Sequence, residues 1–75
     1  MIDKLLNEVK EEMNRGVQMY GDFNSYHEGY AVIKEELDEL WEEIKKRNPS
    51  KYNLKEEAIQ LTAMGLKFLL MLEEK

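Results

Sequence analysis

The chain has no cysteine, which excludes disulfides and thiolate metal sites and leaves no requirement for an oxidising compartment. It has no long hydrophobic run either: the longest unbroken apolar stretch, Phe68 to Leu72, is far too short to span a bilayer, so no membrane role is expected. The opening Met1-Ile2-Asp3-Lys4 lacks the basic and apolar blocks of a signal peptide, making the cytoplasm the expected compartment. Positive charge is scarce as well. With 11 basic against 16 acidic residues and a formal net charge of -5, the chain lacks the clustered basic surface of nucleic-acid readers, and no nucleic-acid partner is expected. An acidic chain can still bind nucleotides by recruiting a divalent cation. There is no internal repeat, low-complexity segment or domain-splitting linker. At 75 residues the chain is one domain at most, and a core of that size rarely stabilises a monomer by more than roughly 3–5 kcal/mol without further support.

What is present is helical periodicity. Ile2, Leu5, Leu6, Val9, Met13, Val17 and Tyr20 recur at three- and four-residue steps, predicting a helix over about 2–20 that stops at Gly21. Ser25 stands three residues before Glu28, a capping box that opens a second helix over about 26–47, ended by Asn48-Pro49. Its expected core stripe is Ile33, Leu37, Leu40 and Ile44, with Tyr30 and Trp41 on the margins, where packing is the expectation and stacking on a nucleobase the alternative. A third helix is predicted over about 54–73. From Ala58 to Leu72 its only charge is Lys67, so it needs cover on several sides. Two other helices cannot supply all of it. The expectation is an all-α chain that assembles into an oligomeric bundle.

Within the acidic second helix, position separates the carboxylates. Taking about 100° per residue, Glu35, Asp38 and Glu42 point away from the stripe, whereas Glu36 lies roughly 60° from its centre and Glu39 and Glu43 follow on the same flank. On the third helix Glu57 falls inside the apolar arc, with Gln60 one turn on. Side by side, the two helices would bring Glu36, Glu39, Glu57 and Gln60 along one seam. That all-oxygen, strongly negative set suits a hard cation such as Mg²⁺. The same acids could instead pair with Lys34, Lys55 or Lys67. Lys34, Lys51, Lys55 and Lys67 are also candidates for gripping phosphates, and His27, the only histidine, is expected at the surface or near the cap.

Glu35-Glu36-Leu37-Asp38-Glu39, followed by Glu57-Ala58-Ile59-Gln60, resembles the MazG-type all-α nucleoside triphosphate pyrophosphohydrolases. Their signature is Glu-x-x-Glu on one helix and Glu-x-x-Asp on the next. The resemblance covers about 26–72 and implies a three-helix MazG-like chain, a homo-oligomer (dimer or tetramer), and Mg²⁺, or Mn²⁺ in its place. Glu36, Glu39 and Glu57 are then the catalytic acids and, with Gln60, the metal ligands. The implied reaction is hydrolysis of a nucleoside triphosphate to a monophosphate and pyrophosphate. Gln60 stands where the family has Asp and removes one negative charge from the site. The segments His27–Ile33 and Ala58–Met64 look similar to a subgroup of short bacterial and phage proteins in which Gln is usual there. Typical family domains carry four or more helices, and this chain has room for three. A helical oligomerisation or nucleotide-sensing module without turnover is the alternative.

Overall fold

The computed structural model describes residues 1–74. Among them are three α-helices and no strand: α1 (Ile2–Tyr20), α2 (Tyr26–Ile44) and α3 (Lys51–Glu73). No helix is long and apolar enough to cross a membrane.

The ends of the helices follow from local chemistry. Gly21 takes φ +77° and its N–H donates to the Val17 carbonyl at 2.8 Å, closing α1 in a conformation glycine adopts without strain. At the start of α2, Ser25 Oγ accepts the Glu28 N–H at 3.0 Å. The expected reciprocal bond to Ser25 is absent: the Glu28 carboxylate reaches one residue further back, to the Asn24 N–H at 2.8 Å and the Asn24 side-chain amide at 3.3 Å.

Two predicted boundaries move by three residues. The second helix stops at Ile44 instead of near 47, and the third starts at Lys51 instead of near 54. Both shifts have a cause around Pro49. Proline restricts the residues before it, and the chain turns back where Glu43 Oε2 accepts the Ser50 N–H at 2.9 Å. Ser50 then caps α3 itself, its Oγ accepting the Asn53 N–H at 3.2 Å.

α3 is the central element. α1 and α2 each pack against it and make no close backbone approach to one another. Val9 and Met13 of α1 bury against Ala63, and the most buried line of α3 is Ala63, Lys67 and Met71. Near the turn before α2, Phe23 is buried and Phe68 of α3 packs over Gly29 so closely that a Cβ there would lie 2.5 Å from its ring.

The face that α2 turns to α3 differs from the predicted one. Ile33 and Leu40 are half-buried as expected, but Leu37 and Ile44 are 48% and 46% exposed, and the inner residues are Gly29, Val32, Ile33, Glu36, Leu40 and Glu43. The helix is rotated by roughly 60° toward its acids relative to the stripe expected from apolar spacing. Tyr30 and Trp41, expected to pack, are 66% and 56% exposed. α2 thus faces its own chain partly with carboxylates and the outside with apolar side chains.

Candidate metal centre

Because α1 and α2 stand apart on α3, they form the two walls of a cleft of about 580 Å³ whose floor is α3. Glu12, Gly16 and Tyr20 line one wall, Glu28, Val32, Glu35 and Glu36 the other. Gln60, Met64 and Lys67 form the floor, and the loop carrying Phe23 closes one end.

On α2, Glu35, Glu36 and Glu39 each offer a carboxylate oxygen within 4.8 Å of the others; Glu35 and Glu36 line the cleft, whereas Glu39 is exposed and does not. Two oxygens bound to one Mg²⁺ lie up to about 4.2 Å apart, so small side-chain rotations would bring this group to coordination distance. Glu35, expected to point to the far side, is exposed yet its carboxylate turns back to the other two. A helix angle fixes where Cβ points; the long glutamate side chain covers the remaining distance. Glu57 approaches from α3. It is not part of the tightest group, but its charge acts on Glu36 and that of Glu39 acts on it. Gln60 borders the same cleft as Glu35 and Glu36.

The electrostatics of the cluster are unfavourable in the absence of a cation. Burial, followed by the charges of Glu39, Glu57, Glu35 and Glu12, pushes the Glu36 carboxyl up to about 7. Glu57 is raised as well, first by burial and then by Glu39 and Glu43. Glu36 Oε2 and Glu57 Oε2 are buried and accept no hydrogen bond. The lysines that could have paired with them are engaged elsewhere. Lys34 Nζ bonds Asp38 at 2.8 Å, Lys55 lies 3.4 Å from Glu8, and Lys67 sits 4.3 Å from the Phe23 ring centroid. Lys46, bonded to Glu43, acts on Glu57 only as a weaker, opposing charge, and repelling carboxylates with free oxygens and no salt-bridged ammonium are a donor set that a divalent cation satisfies.

Glu43, on the same flank of α2, belongs to a different arrangement. Its carboxylate accepts hydrogen bonds from Lys46 Nζ at 2.8 Å and the Ser50 N–H at 2.9 Å. These contacts, the lysine first, hold its carboxyl below the ordinary range. Glu43 ties the end of α2 to the start of α3, and each of its oxygens is already engaged there. Glu12, which sequence reasoning passed over, enters the field around Glu36 from α1 and also pairs with Arg15. Its place beside Met13 on the inner line of α1 was the available signal. His27 is exposed.

Fold and site together define an all-α, three-helix chain with a carboxylate-bordered cleft. Comparison with family models, curated proteins and solved structures returns no match to the chain.

Proposed function

We propose that the chain is a MazG-like nucleotide pyrophosphohydrolase, hydrolysing a nucleoside triphosphate to a monophosphate and pyrophosphate with Mg²⁺ or Mn²⁺. The observation that carries this reading is the pair of buried carboxylate oxygens without a hydrogen bond on Glu36 and Glu57, on two helices, with Glu36 grouped with Glu35 and Glu39 and Glu57 within reach of their charge. Glu36, Glu39 and Glu57 would hold the cation through carboxylate oxygens, and Gln60 would contribute its amide oxygen. A bound Mg²⁺ would neutralise the polyphosphate and make a coordinated water more acidic. The acids bordering the cleft would orient the attacking water and take up its proton. The new bond joins water oxygen to phosphorus, and the bond between the α phosphorus and the bridging oxygen breaks, releasing pyrophosphate. No covalent nucleophile is required. A cytoplasmic setting, where nucleoside triphosphates are abundant, is part of the reading.

The reading includes a homo-oligomer, dimer or tetramer. The chain exposes 5871 Å², whereas a folded monomer of 9.0 kDa exposes roughly 4,900 Å². The excess of about 1,000 Å² is comparable to the ~800 Å² that each partner buries in a standard interface. Tyr30, Leu37, Trp41 and Ile44 on α2 and Leu69 and Leu72 on α3 supply apolar cover for a second copy.

Gln60 favours one alternative, a nucleotide-sensing or oligomerisation module on the same scaffold, since an amide in place of a carboxylate weakens the hold on a cation. Pyrophosphate release from a panel of ordinary and modified triphosphates, with and without Mg²⁺, separates the two. Mg²⁺-dependent release that is lost in Glu36→Gln supports the hydrolase. Binding without release supports the sensor, and neither binding nor release removes both nucleotide readings.

A further inference from the structure

Lys67 is the least expected side chain in the cleft. It is 7% exposed, and among the described residues no carboxylate lies within the 4.0 Å of a salt bridge to it. Its Nζ donates no hydrogen bond to them either. Its one recorded partner is the face of the Phe23 ring, 4.3 Å from the centroid. An ammonium has three donors, and a ring face offers none of them a lone pair. The burial is that of its stem: the sealed, unpartnered polar atoms are carboxylate oxygens and do not include the Lys67 Nζ, so water reaches the ammonium and an anion entering the cleft can replace that water.

The position of Lys67 indicates which anion would replace that water. Gln60, Met64 and Lys67 recur at four- and three-residue steps on α3 and together form the floor of the cleft. Gln60 stands at the acidic end, beside Glu35 and Glu36. Seven residues of helix separate Gln60 from Lys67, about 10 Å along the axis, and helical side chains lean back toward the N-terminus, which tilts Lys67 toward Gln60. A ligand serving both ends carries several negative groups in a row. One group meets the cation held by the glutamates, and another meets the lysine.

We infer that Lys67 is the anion anchor of the cleft, binding a phosphate oxygen of an extended polyphosphate whose other end meets the carboxylate-held cation. This assignment rests on the nucleotide reading above and deepens it by naming the residue that grips the ligand away from the cation. Phe23 holds the ammonium in place while the cleft is empty. The competing account is purely structural, in which the lysine stem fills space beside Phe23 and the charge does nothing.

The test is calorimetric titration of inorganic tripolyphosphate, with saturating Mg²⁺, into the wild-type chain, Lys67→Met and Lys67→Arg, with Mn²⁺ affinity and thermal midpoint measured in parallel. Lys67→Met keeps the stem and removes the charge. The expected result is a loss of tripolyphosphate affinity of roughly tenfold to a hundredfold, the range for one charge-assisted hydrogen bond, with Mn²⁺ affinity unchanged and partial retention in Lys67→Arg. Equal affinity in wild type and a folded Lys67→Met overturns the anchor, as does a wild-type chain that binds no tripolyphosphate. Should Lys67→Met not fold, the ¹⁵Nζ resonance of Lys67 in labelled wild-type protein decides: a shift on adding Mg²⁺-tripolyphosphate beyond that with Mg²⁺ alone supports the anchor, and a stationary resonance overturns it. Pyrophosphate release is a separate readout. Lys67-dependent binding without release leaves the anchor standing and removes the hydrolase, whereas release that survives Lys67→Met with unchanged KM does the reverse.

Discussion

Glu36 and Glu43 lie two turns apart on the inner face of α2, and their surroundings drive their carboxyls in opposite directions. Glu36 is pushed up to about 7 by burial and by other carboxylates, and Glu43 is held down by Lys46 and the Ser50 N–H. For Glu36, the folded chain keeps a proton between pH 4.5 and about 7 that the unfolded chain has released, so without a cation stability falls as pH rises through that window. Glu36→Gln is therefore expected to raise the stability of the metal-free chain at pH 8 by roughly 1–2 kcal/mol, less than the full shift would give because water reaches part of the carboxylate. For Glu43 the sign reverses. Its contribution is present above the ordinary carboxylate range and is lost on acidification, so Glu43→Gln lowers the thermal midpoint at pH 7 and the difference shrinks in acid. Thermal melts of the three proteins in EDTA at pH 4, 6 and 8 check both signs.

Among the helices, Gly29 in α2 gives the clearest test of how α2 sits on α3. Replacing a mid-helix glycine by alanine ordinarily stabilises a helix by up to about 1 kcal/mol. At Gly29 the new methyl would meet the Phe68 ring at 2.5 Å and Phe23 at 3.1 Å. Gly29→Ala is thus expected to cost about 1–3 kcal/mol in a denaturant titration, the opposite of the propensity effect. The helices were legible in the sequence because their signals are local: Gly21 ends α1, and Ser25 opens α2. Ser50 caps α3 as Ser25 caps α2, but it has Asn53 where a capping box has Glu, so its signal is weaker and the predicted start of α3 falls three residues late. The rotation of α2 was not legible from apolar spacing. Leu37, Trp41 and Ile44 are left outside while Glu36 and Glu43 go inside, and periodicity assumes that grease and core coincide. The candidate carboxylates on the flank of the stripe, Glu36 above all, were legible because that flank is where the contact falls. Glu35 and Glu12 were missed because side-chain reach and the approach of a third helix are not written in one helix's period.

The whole molecule is open for its size. Its radius of gyration is 13.0 Å, where a compact chain of this length has about 11 Å, and the apolar face of α2 is displayed. In the oligomer proposed above, that face is covered by a second copy. Trp41→Glu would place a charge at its centre, and sedimentation equilibrium should then find a monomer of retained helix content where the wild type is a dimer or larger. A wild type that sediments as a monomer at micromolar concentration would remove the oligomer from the account.

The central claim is that carboxylates from α2 and α3 converge on one cation. The most direct measurement is the anomalous diffraction map of a crystal soaked in Mn²⁺. The account predicts a peak between α2 and α3 within about 2.2 Å of oxygens from Glu36 and at least one of Glu39 and Glu57, and no such peak in Glu36→Gln. Saturating Mn²⁺ that leaves this cluster without a peak, or a peak that persists in the variant, would contradict it.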